Sequence, residues 1–159
     1  MMQIPEGYFA ILFKETKSGS IGVKFPEYPG IVTYGSSWEN AEENALKALS
    51  AASETEFEWG LKLPPSQKPK LKKGERLIFV PLIASVRIAY RLRGWRETAG
   101  LTQKDIAKKL GVSYQAYQRM ERPGCSNLTI STLEKIAKAL DSKLVLELTS
   151  IKGKKKTKA

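Results

Sequence analysis

Gly100 to Glu121 reads GLTQKDIAKKLGVSYQAYQRME. Thr102 is a good N-cap for a short helix from Gln103 to Leu110, and Ser113 caps a second from Tyr114 to Arg122. Leu110-Gly111-Val112-Ser113 joins them, and Gly111 supplies the positive φ that a tight inter-helix turn needs. Ile106, Ala107, Leu110, Val112, Tyr117 and Met120 sit where the two helices face each other. Ala107 is small enough for a close crossing. Two short helices crossing in this way stand the second in the major groove of DNA.

The surrounding C-terminal half continues the helical period. From Ala84 onward, Ile88, Leu92, Trp95 and Ala99 form a 4-3-4 stripe on a preceding helix. Thr129 or Ser131 caps a later helix that reaches about Leu140. Lys143 to Leu148 (KLVLEL) alternates as a terminal strand. Residues 151–159 (IKGKKKTKA) hold five lysines and no core residue, and the expectation is a disordered basic tail.

The N-terminal half has another rhythm. Tyr8 to Lys14 (YFAILFK) is apolar and of strand length. Ser20 to Phe25 alternates, with Ile21, Val23 and Phe25 on one face. Ile31 to Tyr34 is a third strand, closed by Gly35. Ser36 or Ser37 then caps a helix, and Ser36 with Glu39 has the capping-box spacing. Trp38, Ala41, Ala45, Leu49 and Ala52 predict its buried stripe, and Gly60 its C-cap. Pro64 to Gly74 (PPSQKPKLKKG) is a proline- and lysine-rich connection. Arg76 to Leu82 (RLIFVPL) is a fourth strand. Pro81 lacks a ladder donor and places it at an edge or its end. The order is β-β-β-α-β followed by helices, an α+β chain divided into residues 1–82, with 64–74 as an internal connection, 83–150, and the tail 151–159.

Composition narrows the functions. The 159 residues contain no histidine, which removes His-based triads, general bases and metal ligands together. No cofactor or metal is expected. The single cysteine, Cys125, excludes an intrachain disulfide. No apolar run approaches the ~18 residues of a membrane span, and the first residues lack the basic region and cleavage site of a signal peptide. A cytoplasmic protein without a membrane partner is expected. Charge is divided sharply. Residues 1–66 hold 5 Lys/Arg against 9 Asp/Glu, whereas residues 67–159 hold 22 against 7. That division points to a basic or neutral partner for the first half and a polyanion for the second.

The stretch quoted first resembles the Cro/repressor-like (XRE) helix-turn-helix family. It matches the pattern T-Q-x-x-[IL]-A-x-x-L-G-V-S, followed by an aromatic or aliphatic residue, an apolar one and Glu. In lambdoid repressors of this family, bases are read by the first two residues of the second helix and a third one turn later. The resemblance places these on Tyr114, Gln115 and Arg119. Glutamine suits adenine N6/N7 and arginine suits guanine O6/N7. Tyr114 departs from the usual glutamine or arginine, and its partner is a thymine methyl or the sugar-phosphate backbone. Gln103 is similar to the family's phosphate contact, with Ser113 as a second. Gln118 lies on the flank, facing either DNA or solvent. Glu121 reads as a structural partner to a basic side chain. Repressors of this type act on palindromes as dimers, so the resemblance implies a homodimer or higher homo-oligomer on a palindromic operator, with KLVLEL available to pair between subunits.

Ile21 to Leu49 carries FPEYPGIVTYGSSWENAEENALKAL. This resembles the HicB antitoxin family, whose signature runs F-P-D-[apolar]-P-G-x-x-[TS]-x-G-x-[ST]-x-E-E-A-x-x-N-A. Phe25, Pro26, Pro29, Gly30, Gly35, Ala41, Asn44 and Ala45 fall in place. Glu27 stands where Asp is usual, Ser37-Trp38 replaces an Asp-Thr-like pair, and the whole chain is unusually basic for the family. The resemblance implies a partial RNase H-like domain of β-β-β-α-β order. It also implies a small basic HicA-like toxin, one that cleaves mRNA, as protein partner, and repression of the chain's own operon. The acidic helix, with Glu39, Glu42, Glu43 and Glu54 foremost and Glu56 and Glu58 beyond, is an electrostatically suitable surface for that partner. Two other readings stand beside it. One is a stand-alone phage-type repressor whose first domain senses a ligand or oligomerises. The other is a metal-dependent nuclease, for which the strands offer only Glu15 where several converging carboxylates are required. The expectation is a protein that is not an enzyme.

Overall fold

Strand β1 (Gly7–Lys14) lies between two partners and organises the N-terminal half. The computed structural model describes residues 4–124 and 128–147. β2 (Ile21–Phe25), β3 (Tyr28–Gly35) and β4 (Arg76–Pro81) complete a four-stranded antiparallel sheet of order β3-β2-β1-β4. β4 lies at an edge, where the missing N–H of Pro81 costs no ladder bond. β3 starts at Tyr28, earlier than the expected Ile31, because Tyr28 pairs with Phe25 across a register shift.

Helix α1 (Trp38–Glu58) packs on one face of this sheet. Its cap is Ser37, whose hydroxyl accepts from the Asn40 amide at 3.1 Å. The Ser36–Glu39 capping box does not form. The Ser36 amide donates instead to the Asn40 side chain. The buried stripe is Ala41, Ala45, Leu49, Ser53 and Phe57. Beyond Leu49 it runs on in steps of four, so Ser53 and not Ala52 is buried, its hydroxyl satisfied by the Leu49 carbonyl at 2.8 Å. Tyr8, Leu12, Val23 and Phe25 meet this stripe from the sheet.

Helix α2 (Ala84–Thr98) is shared by two cores. Val86, Ala89 and Tyr90 are buried with the sheet and α1. Leu92 is buried in a second cluster, with Ile88 and Trp95 against it. Ala99, expected on the buried stripe, caps the helix and is exposed. The second cluster is completed by α3 (Gln103–Leu110), α4 (Tyr114–Glu121) and α5 (Ile130–Ala139), through Ile106, Ala107, Tyr117, Ile136 and Leu140. Thr129, not Ser131, caps α5, accepting from the Thr132 amide at 3.1 Å. α4 ends at Glu121, and Arg122 has extended backbone angles.

The expected terminal strand does not form over residues 143–147. These residues pair with no strand, and Val145 and Leu146 are exposed. Alternation alone supplies no ladder, and both sheet edges belong to the other half of the chain. Leu148 and the expected basic tail lie outside the described residues.

Gly35 fixes how closely the sheet approaches α1. A Cβ built there would sit 2.3 Å from the Ala41 amide nitrogen and 2.5 Å from its Cα. Neither backbone atom has anywhere to go. Gly35→Ala is expected to lower unfolding stability by about 1–3 kcal/mol in urea titrations. Gly30→Ala, where an added Cβ meets nothing within 4 Å, should stay within about 0.5 kcal/mol of the parent.

Candidate nucleic-acid interface

The start of α3 is fixed by a reciprocal pair. The Asp105 amide donates to the Thr102 hydroxyl at 3.2 Å, and the Thr102 amide donates to the Asp105 carboxylate at 2.8 Å. These bonds, the Thr102 side chain first, hold the Asp105 carboxyl below its ordinary pKa. The contribution of this cap is therefore present above the unfolded carboxyl's pKa and is lost as pH falls through the lower folded value. Gly111 ends the helix at φ 68°, in the left-handed region that the turn into α4 requires.

α4 is anchored from behind. The Tyr117 ring is fully buried, and burial raises the pKa of its phenol. Glu121 is 1% exposed and is met by Arg96 at the end of α2. Arg96 donates from Nε to Oε2 at 2.8 Å and from Nη2 to Oε1 at 2.6 Å, while Nη1 reaches the Leu101 carbonyl at 3.1 Å. One guanidinium thus ties α2, the turn into α3 and the end of α4, in the two-pronged geometry that suits arginine to a carboxylate. The hydrogen bonds to Glu121 raise the pKa of Arg96.

With its rear face fixed, α4 turns Tyr114, Gln115, Gln118 and Arg119 to solvent. Their spacing puts all four on one stripe. The Gln118 amide donates to the Tyr114 hydroxyl at 3.4 Å. Lys104 Nζ stands 6.0 Å from the centre of the Tyr114 ring. Lys104 was not among the expected site residues, yet it follows Gln103 in the first turn of α3 and brings a cation to the same surface. Gln103 is half-exposed. The Ser113 hydroxyl accepts from the Ala116 amide at 3.1 Å and so caps α4, leaving its own hydrogen to donate. A major groove admits an α-helix, and this one offers two carboxamides, a guanidinium and a phenol.

The acidic residues lie on α1. Glu39 and Glu43 are exposed; Glu42 and Glu54 are half-buried. Glu42 lines a groove with Leu46 and Phe79. Glu56 departs from the expected acidic surface. It is partly buried beside Tyr28, and burial raises its carboxyl pKa, partly offset by the Tyr28 hydroxyl. Glu58 meets Arg122 at 2.6 Å, which links the end of α1 to the segment after α4. Among the described residues no group of three or more Cys, Asp or Glu is placed to hold a metal ion, and no helix is long and apolar enough to cross a membrane.

Residues 92–146 match the helix-turn-helix family, a span that takes in the end of α2 and all of α3, α4 and α5. Antitoxin HicB 1 of Photorhabdus laumondii is 29% identical over 140 residues, covering 88% of this chain and 86% of the relative. The chain is HicB-like and carries a helix-turn-helix domain. The similarity covers 88% of the chain and so extends over both the sheet and the helices.

Glu121→Ala is expected to destabilise the chain by about 3–5 kcal/mol, because it strands Arg96 in a mostly buried site. The double change Glu121→Leu with Arg96→Met should cost less than Glu121→Ala alone, since no charge is left unpaired. Urea denaturation of the two variants checks the order.

Proposed function

We propose that the chain is the antitoxin and autorepressor of a toxin–antitoxin pair. α4 reads operator DNA, and α1 receives a small basic HicA-like toxin that cleaves mRNA. The observation that carries the DNA half is the exposed stripe of α4, held from behind by Tyr117 and the Arg96–Glu121 pair. Gln115 and Arg119 read bases, Tyr114 packs on a thymine methyl or the backbone, and Gln118 lies on their flank. Gln103, Ser113 and Lys104 position the phosphates. The toxin half rests on the HicB-like relative and on the acidic side of α1, at the exposed Glu39 and Glu43 and the half-buried Glu42 and Glu54. The β-β-β-α-β sheet is read as partial RNase H-like. Residues 1–82 and 83–150 are read as the toxin-binding and DNA-binding parts. The acting species is a cytoplasmic homodimer or higher oligomer on a palindrome, with the exposed Val145 and Leu146 as material for a subunit contact.

The test is co-expression with a neighbouring small basic open reading frame, read as growth rescue beside a gel shift on the upstream DNA. Rescue together with a specific shift supports the reading. A shift with no toxin to rescue from leaves a stand-alone repressor in its place.

Two substitutions separate positioning from reading. Arg119→Ala should weaken operator binding by about 1–3 kcal/mol and relax preference at one base position. Gln103→Ala should weaken operator and random duplex evenly, because phosphates carry no sequence. Equal losses on both DNAs for Arg119→Ala would contradict the base-reading role. In the toxin assay, Glu39→Lys with Glu43→Lys should abolish rescue at low antitoxin expression and leave the gel shift unchanged.

A further inference from the structure

α1 covers one face of the sheet, and among the described residues no helix covers the other. Strand alternation and register put Phe9, Ile11 and Phe13 of β1, Val32 and Tyr34 of β3 and Phe79 of β4 on that second face. Phe79 is 49% exposed, Tyr34 46% and Val32 53%. Phe9 and Phe79 meet edge to face at 5.3 Å. Phe13 lies against Gly22, opposite Tyr34 in the register. Two exposed rings, Tyr34 and Phe79, with Phe9 and Phe13 half-buried on the same face, point to an interaction site.

The chemistry of the rim says what it takes. The connection between α1 and β4 runs along this face and leaves two open clefts. One, of about 480 Å³, is walled by Ile11, Val32, Lys24, Lys70 and Lys72. The other, of about 520 Å³, opens at the end of the sheet, with Phe13 and Lys73 on one side and Trp38 of α1, Lys14 and Arg76 on the other. Glu75 lines both, but its carboxylate is already held by Lys24 at 2.8 Å and by the Lys72 amide at 2.7 Å. The rim beside Tyr34 and Phe13 is therefore positive, while α1 carries six glutamates and one lysine on the opposite face, with Glu42 bordering Phe79 at the β4 edge. A basic protein partner is repelled here and attracted there. A polyanion with flat apolar faces fits the aromatic floor and the lysine rim together.

We propose that this face binds single-stranded RNA, with unstacked bases on Tyr34, Phe79 and Phe13 and phosphates along Lys70, Lys72 and Lys73. Rings on an open antiparallel sheet are a sequence-tolerant platform, because every base has a π-face, and duplexes are excluded because their bases are already stacked. RNA is the single-stranded polyanion a cell holds in greatest amount. The site is separate from α4, and stands whether or not α4 reads an operator.

Fluorescence anisotropy of the full chain with a labelled, unstructured 12-nucleotide RNA tests this, alongside DNA of the same sequence and a DNA duplex. Tyr34→Ala with Phe79→Ala should weaken RNA binding roughly tenfold or more. Lys70→Glu with Lys72→Glu and Lys73→Glu should do the same and reduce the magnitude of the salt slope by about 2. Both variants should bind the duplex within twofold of the parent. Thermal melting verifies each fold, and the lysine variant decides if the aromatic one melts early. RNA affinity unchanged in the lysine variant would overturn the proposal, because binding then comes from elsewhere in the chain. So would tighter binding of the DNA strand than of RNA. Equal weakening on RNA and duplex would also overturn it, as would loss of a basic protein partner in its place.

Discussion

Helix α2 is buried from two sides, and both halves of the molecule depend on it. Val86, Ala89 and Tyr90 complete the core under the sheet, while Leu92, with Ile88 and Trp95, begins the core of the helix-turn-helix. A helix packed into a core on each of two sides cannot turn independently of either neighbour. Polar contacts reinforce the apolar ones at the joint. The Tyr90 hydroxyl donates to the Ser53 carbonyl at 3.2 Å, and the Arg93 guanidinium lies 3.2 Å from the centre of the Phe57 ring while donating to the Phe57 carbonyl at 2.8 Å. Burial lowers the pKa of Arg93, a cost that the aromatic face and the carbonyl offset. The halves are thus separable in sequence pattern and continuous in packing.

That continuity places the recognition surface. Arg96 stands one turn beyond Arg93 on α2, and through Glu121 it sets the end of α4. Gly111 and the caps at Thr102 and Ser113 set the beginning. The four exposed side chains of α4 inherit their position from these contacts, as the base-reading role proposed for them requires. Charge follows the same frame. Glutamates line α1, lysines rim the open sheet face, and a third basic region surrounds α3 and α4. Surfaces of opposite sign thus lie on opposite faces of the sheet, and the proposed basic protein and polyanion partners rest on that separation.

Much of this was legible in the sequence because local chemistry decides it. The turn at Gly111, the caps at Thr102 and Ser113, the alternation in β2 and the edge position of Pro81 are each dictated within a few residues. The pairing of Glu121 with a basic side chain was legible in kind, but not the partner, since Arg96 lies 25 residues away. The joint in α2 was not legible because the 4-3-4 stripe of Ile88, Leu92, Trp95 and Ala99 describes one buried face, and nothing local shows that Val86, Ala89 and Tyr90 meet a second core. Glu56 was grouped with the acidic surface because helical spacing does not reveal that Tyr28 lies over it. KLVLEL misled because alternation states a preference for a ladder and says nothing about whether an edge is within reach.

Native-state hydrogen exchange along α2 tests the shared frame most directly. If one helix serves both cores, the amides of Val86 and Tyr90 and those of Leu92, Ile106 and Tyr117 should exchange through openings of the same free energy as the central strand β1. If the amides of α3 and α4 open at free energies more than about 2 kcal/mol below those of β1, the helix-turn-helix is a separately unfolding unit. In that case α2 does not carry the position of the recognition helix.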